Sequence, residues 1–260
     1  MIKRFLVGDL HFKHHNVLWL CNRPFTDTTD MYIQMVKKWN AVVGSDDIVY
    51  NLGDVCFHGE KHKDFCKQMN KDLNGRHILI LGNHDIMKPF KYLECGFDSV
   101  HTSLDIDNVI LVHDPNNKKL LARAKKEEKM IFCGHVHNYF LKLVEPVNIL
   151  NVGCDVWNYT PIEWNLALQY LKYAKPTPGI TLDSMTLQRE KSIEKRRVLS
   201  KEPAIINGDF CDKKCYHLSM SKRKETFFCI KYRKFLIPDQ THNYNGANPL
   251  RSGKCLKKES

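Results

Sequence analysis

Seven side chains in this chain could hold metal ions, and each follows a short apolar run. Gly8-Asp9-Leu10-His11 comes after Phe5-Leu6-Val7, and Gly53-Asp54 after Ile48-Val49-Tyr50. Gly82-Asn83-His84-Asp85 comes after Ile78-Leu79-Ile80-Leu81, His113-Asp114-Pro115 after Val109-Ile110-Leu111-Val112, and Gly134-His135-Val136-His137 after Met130-Ile131-Phe132-Cys133. Imidazole mixed with carboxylate suits manganese, iron or zinc, which accept nitrogen and oxygen ligands together. A lone Asp-x-His or Gly-Asp means little. Glycine before a ligand permits a tight turn out of a strand, and five such blocks in succession point to one converging site.

The apolar runs are what must position these residues. Runs of this length, apolar on both faces, predict buried strands of an α/β fold, and Ile149-Leu150-Asn151-Val152 adds another. In an open α/β sheet the binding crevice lies outside the carboxyl ends of the strands, where all five blocks fall. Helices are expected between them. Met31, Met35, Val36 and Trp39 recur at helical spacing after Thr28-Thr29-Asp30, which offers caps, and Phe65, Met69 and Leu73 do so in the next segment. Thr160-Pro161-Ile162-Glu163 reads as a capping box with proline at the first helical position, opening a helix through Leu166, Leu168 and Leu171.

The chain has 260 residues, 43% hydrophobic and 27% charged. That balance excludes wholesale disorder and fibrous classes, and no apolar stretch approaches the roughly 20 residues of a membrane span. The first residues, Met1 to Asp9, read as a strand and turn rather than a secretory signal. The expectation is a cytoplasmic protein without a membrane partner. Cys21, Cys56, Cys66, Cys95, Cys133 and Cys154 are scattered singly among apolar residues and read as reduced core cysteines.

Residues 1–175, with sequence blocks quoted above and below, resemble the calcineurin-like metallophosphoesterases. A finer likeness is to small, often phage-encoded members, through Asp9-Leu10-His11-Phe12-Lys13-His14-His15-Asn16, Cys21-Asn22-Arg23-Pro24-Phe25 and the stretch Val152-Gly153-Cys154-Asp155-Val156-Trp157-Asn158-Tyr159-Thr160-Pro161. The resemblance implies a two-sheet α/β sandwich flanked by helices, with a two-metal site. It assigns Asp9, His11 and His137 to one metal, Asn83, His113 and His135 to the other, and Asp54 to both. It makes His84 the acid or transition-state stabiliser, held by Asp85. Two cations roughly 3.5–4 Å apart can supply a bridging hydroxide and clamp phosphoryl oxygens for in-line displacement. Histidine, with a pKa near 6.5, suits a proton donor beside them.

Lys13 departs from the family pattern, standing where relatives usually carry glycine. The arginine-bearing block Gly-Asp-x-x-Asp-Arg-Gly of Ser/Thr protein phosphatases is absent, since Gly53-Asp54 is followed by Val55-Cys56-Phe57-His58-Gly59. Protein phosphatase activity is disfavoured. His14, Asn16 and Arg23 read as phosphate or substrate contacts, with Arg23 a charge-assisted donor. The alternative makes Asn16 a cap and Arg23 a surface charge. His58, His62, His77 and His101 lack such context and read as surface or structural residues.

Charge divides the chain. Residues 1–175 carry 22 Lys and Arg against 20 Asp and Glu, a net of +2, while residues 176–260 carry 18 against 9, a net of +9. The expected division is a catalytic domain over 1–175, a charged linker over 176–204 and a small basic domain over 205–260. Such a tail points to DNA or RNA as partner, or merely to a solvated surface. Cys211, Cys215, Cys229 and Cys255 could form a structural zinc site there, with His217 and His242 as alternative donors. Phe227, Phe228, Tyr232 and Phe235 among lysines and arginines suit either a base-stacking surface or a strand. The function expected is a dinuclear-metal phosphodiesterase acting on nucleic acids or nucleotides. The alternatives are a phosphomonoesterase for a small metabolite and a nucleic-acid-binding protein whose metal is structural.

Overall fold

In the computed structural model, residues 2–57 and 63–182 are described in full, together with the backbone of strands Leu218–Met220, Phe227–Cys229 and Lys234–Leu236. The chain divides into two compact units, residues 1–185 and 186–260.

The first unit is a double-sheet sandwich. Its strands are β1 (Arg4–Val7), β2 (Ile48–Asn51), β3 (Arg76–Ile80), β4 (Ser99–His101), β5 (Ser103–Ile106), β6 (Val109–Val112), β7 (Met130–Cys133), β8 (Lys142–Leu143), β9 (Ile149–Asn151) and β10 (Ile162–Glu163). One sheet has the order β10-β1-β2-β3-β4 and the other β5-β6-β7-β9-β8. The inner strands run parallel, and antiparallel partners stand at edges: β10 beside β1, β5 beside β6, and β8 beside β9.

Side-chain alternation explains why both sheets are buried twice over. Phe5, Val7, Val49 and Leu79 face the layer of α2 (Thr28–Asn40) and α3 (Lys63–Asp72), where Met31, Met35, Trp39, Cys66 and Met69 meet them. Their neighbours Leu6, Tyr50 and Ile80 point the other way, against Val109, Leu111, Phe132 and Leu150 of the second sheet. On that sheet's far side, Ile110, Ile131, Cys133 and Ile149 pack with Ala124 of α5 (Lys118–Lys126), and Leu182 joins them. The six cysteines of this unit are buried free thiols, as expected of core residues.

Two helix starts differ from expectation. The helix α2 is capped by Asp27, whose carboxylate accepts from the amides of Thr29 and Asp30; aspartate at that position leaves Thr28 as the first helical residue. Ile162 and Glu163 do not begin a helix. They pair with Leu6 and Phe5 as β10, and α6 starts at Trp164 (Trp164–Tyr173). Completing the sheet beside β1 satisfies backbone groups that a capping box would have satisfied locally. α1 (Val17–Leu20) and α4 (Pro89–Glu94) are single short turns of helix in the ligand-bearing loops. Among the described residues, no helix is long and apolar enough to cross a membrane.

In the second unit the three described strands form an antiparallel sheet, with Phe228 paired to both Ser219 and Phe235. Phe227, Phe228 and Phe235 therefore lie on strands, while Tyr232 lies outside the described residues. Cys229 falls on the middle strand; Cys211, Cys215 and Cys255 lie outside the described residues, as do His217 and His242.

Trp164 fixes α6 against the sandwich, its ring 5.4 Å from Phe132 and 5.8 Å from Tyr50 at the centroids. Trp164→Ala should cost about 3–5 kcal/mol, measured by urea unfolding of the first unit; a loss below about 1 kcal/mol would contradict its place in the inter-sheet core.

Candidate metal centre

The ligand-bearing loops leave the carboxyl ends of β1, β2 and β3 in one sheet and of β6 and β7 in the other. Parallel pairing continues past the strands and knits these loops together. Asp9 donates its amide to Gly53, His11 to Asp54 and Phe12 to Val55, while Gly134 donates to His113. The chain turns sharply within this lattice. Asp9, His11, Asp54, His135 and His137 all have φ between +47° and +71°, a region that costs a non-glycine residue about 1–2 kcal/mol.

Three donor groups result, Cys21, His137 and Asp155 forming one of them; the other two lie at the strand ends. Asp9, His11 and His137 present ligand atoms within 4.8 Å of one another, and Asp54, His113 and His135 form a second such group. Asn83 stands beside the second, its Oδ1 3.1 Å from His113 Nε2. Asp54 lies between them: its Oδ2 is 3.3 Å from His11 Nε2 and 3.4 Å from His113 Nε2. All seven side chains named as candidate ligands are thus brought to one place.

The donor chemistry fits divalent cations. Asp9 Oδ2 is buried without a hydrogen-bond partner among the described residues, a costly arrangement unless something else engages it. Ring nitrogens also face one another, His135 Nδ1 lying 3.1 Å from His113 Nε2. Burial opposes charge on Asp54, yet hydrogen bonds to His11 and His113 hold its carboxyl well below the usual carboxylate range. Burial likewise opposes a charged His113, but Asp54 and Asp9 raise it to about 9. Burial depresses His11, which leaves a lone pair available for coordination.

The supports are as specific as the ligands. His113 is oriented by the Leu52 carbonyl, 2.7 Å from its Nδ1. Asp9 Oδ1 accepts from the His135 amide at 2.9 Å, and Asp54 Oδ1 from the His84 amide at 2.8 Å. Asp85 does not act as expected. Its carboxylate accepts from the amides of Gly82, Asp54 and Val55, so it holds the loops of β2 and β3 rather than the His84 ring. Burial and the Asp54 charge push its carboxyl up to about 6 against those bonds.

His84 nevertheless stands at the site, its ring centroid 5.2 Å from that of His11 and 5.9 Å from that of His14. His14 stacks on Phe57 at 3.9 Å and places Nδ1 3.2 Å from His11 Nδ1. Burial first, then the neighbouring histidines, lowers its pKa to about 3, so it stays neutral. Asn16 flanks α1, and its side chain accepts from Trp19 Nε1 at 3.3 Å instead of capping the helix. Arg23 is buried, with its guanidinium committed inside the protein to Asp155 and to the carbonyls of Asp9 and Leu10. It is neither a surface charge nor presented to a ligand. His77 is buried against Asn70 and the Asn74 carbonyl, and His101 bonds Ser99, so both are structural. His58 and His62 lie outside the described residues. The residue missed by sequence reasoning is Asp155, 2.8 Å from His137 Nδ1; its carboxylate stood in view beside Cys154 without any pattern to mark its partner.

The first unit is thus a double-sheet sandwich with a histidine–aspartate cluster at its strand ends. Residues 4–167 match the model of the calcineurin-like phosphoesterase superfamily domain, and the chain belongs to that superfamily. Its members act on phosphoesters and typically use divalent metals. The uncharacterized protein MJ1445 of Methanocaldococcus jannaschii is 32% identical over 181 residues, spanning 67% of this chain and 94% of that one. The Gene 66 protein of Mycobacterium phage L5 is 26% identical over 185 residues, spanning 60% and 88%. The fold is also that of the AQ665 protein of unknown function from Aquifex aeolicus, with a TM-score of 0.50 and 23% identity over 65% of this chain and 99% of that one.

Two substitutions test the loop geometry. A Cβ on Gly82 would lie 2.5 Å from the Asp54 amide nitrogen, so Gly82→Ala should displace Asp54 and reduce metal uptake, read as bound metal per chain after gel filtration. Lys13 holds φ at +64° where the family's glycine would be at ease, and its ammonium sits over the Phe65 ring. Lys13→Gly should leave stability unchanged or raise it by about 1 kcal/mol; a loss above about 2 kcal/mol would show that the stacking on Phe65 fixes the loop.

Proposed function

We propose that this protein is a two-metal phosphodiesterase acting on nucleic acids or nucleotides. The observation that carries the reading is the single Asp54 oxygen set between His11 and His113, one from each strand-end donor group. Asp9, His11 and His137 would hold one cation, Asn83, His113 and His135 the other, and Asp54 would serve both. Two divalent cations there supply Lewis-acid polarisation of phosphoryl oxygens and an ionised water near neutral pH.

The chain's own residues do the rest. Asp85 fixes the loops that carry Asp54 and His84, so the donors keep their spacing without reorganisation. His84 presents an imidazole at the mouth and delivers a proton to the departing oxygen. His14, pinned by its stack on Phe57, bounds the same mouth as a neutral donor. Phe12 and Val55 are fully buried beneath the loops and keep water from the backbone bonds that shape them.

Arg23 spends its donors within the protein and offers none of those bonds to a phosphoryl group. The net charge of +9 over residues 176–260 supports a polyanionic partner. A structural zinc on Cys211, Cys215, Cys229 and Cys255 would be compatible with so small a basic segment.

Asp54→Asn should abolish metal-dependent hydrolysis of bis-p-nitrophenyl phosphate with the unfolding midpoint retained; wild-type turnover would overturn the reading. His84→Ala should slow turnover by about 10²–10⁴-fold, least for diesters with good leaving groups. Truncation after residue 185 should spare a small chromogenic diester yet weaken DNA or RNA binding and flatten its salt dependence, by about 0.7–0.9 in slope for each phosphate no longer neutralised. Equal affinity with and without residues 186–260 would assign their charge to solubility alone.

A further inference from the structure

Two sequence blocks remain outside the metal ligands, Cys21 to Phe25 and Val152 to Pro161. They meet in the fold, although Arg23 and Asp155 are 132 residues apart. Arg23 Nε and one terminal nitrogen bind the two oxygens of Asp155 at 2.8 and 2.9 Å, a bidentate fork. Both side chains are buried, at 0% and 1% exposure. The same guanidinium donates to the Asp9 carbonyl at 2.6 Å and the Leu10 carbonyl at 2.8 Å. Asp155 Oδ2 also bonds His137 Nδ1 at 2.8 Å. Cys154 Sγ completes the junction by donating to the Asp9 carbonyl, and Phe25 packs edge-on against Tyr159.

This network touches two of the three ligands in the first strand-end group and none in the second. A carboxylate on Nδ1 fixes a histidine's tautomer and turns its other nitrogen toward a metal. Arg23 supplies the counter-charge that lets Asp155 remain ionised while buried, and it holds the carbonyl of Asp9, whose φ is +57°. A Cβ on Gly153 would fall 2.5 Å from Asp9 Oδ2, so glycine there leaves that oxygen its room.

We infer that Arg23 and Asp155 are paired positioning residues that set the metal affinity of the Asp9, His11 and His137 subsite alone. This rests on the two-metal reading above. They touch neither substrate nor the reacting atoms. They act through His137 and the Asp9 backbone, and the second subsite relies instead on the Leu52 carbonyl behind His113.

The test is a manganese titration of the full-length, metal-stripped chain, followed by calorimetry and by electron paramagnetic resonance. Wild type should bind two manganese ions per chain and show the spectrum of a coupled pair. Asp155→Asn, which keeps the shape and removes the charge, should weaken one equivalent about 10–100-fold and leave the other unchanged. At limiting manganese the coupled spectrum should give way to that of an isolated ion. Arg23→Lys keeps a buried cation without the fork and should show the same one-site loss, to a smaller degree. The metal-free unfolding midpoint separates this from a general structural role: equal weakening of both equivalents in step with a lower midpoint would overturn the inference. So would two unaltered equivalents in both variants. A wild type that binds fewer than two ions would instead overturn the two-metal reading.

Discussion

The mouth of this sandwich depends on burying several carboxylates in one shell of loops. Asp9, Asp54 and Asp85 are buried within one shell of loops, at 0%, 2% and 7% exposure. Burying ionised groups is expensive unless each is paired. The fold meets that cost by three means. Backbone amides serve Asp85 and one oxygen each of Asp9 and Asp54. Imidazoles serve the other oxygen of Asp54. The second oxygen of Asp9 is left without a partner among the described residues, and a divalent cation meets that need most directly.

The backbone carries the corresponding strain. Five of the seven candidate ligands adopt positive φ without being glycine, and such residues persist only where the surroundings over-determine them. Here the surroundings are the amide-to-carbonyl ladder extending beyond β1 and β2, the three amide bonds to Asp85, and the Arg23 fork under Asp9. The double-sided burial of both sheets keeps this frame rigid. A site on such a frame needs little rearrangement when a phosphoester arrives, which is where electrostatic catalysis gains its advantage.

The central strands were readable because burial on two faces writes an uninterrupted apolar run, and the clustering of the candidate donors was readable because each block ended one. Edge elements lacked that signature. The two-residue strand at Ile162 and Glu163 exists through its partner β1, so local capping signals pointed elsewhere. β4 and β8 are also short and owe their form to neighbours. Arg23 was read as a phosphate or substrate contact, or else a surface charge, because a charged residue in a loop reads as available; only its partner 132 residues away reveals a buried fork. Asp85 shows the converse, being expected at the site and found there, but bonded to backbone rather than to His84.

Where metal binds decides what this site does. Crystals of the manganese-loaded protein, measured near the manganese absorption edge, should show two anomalous peaks flanking the Asp54 carboxylate. One should lie against Asp9, His11 and His137, and the other against Asn83, His113 and His135. A single peak, or two that do not share Asp54, would contradict it.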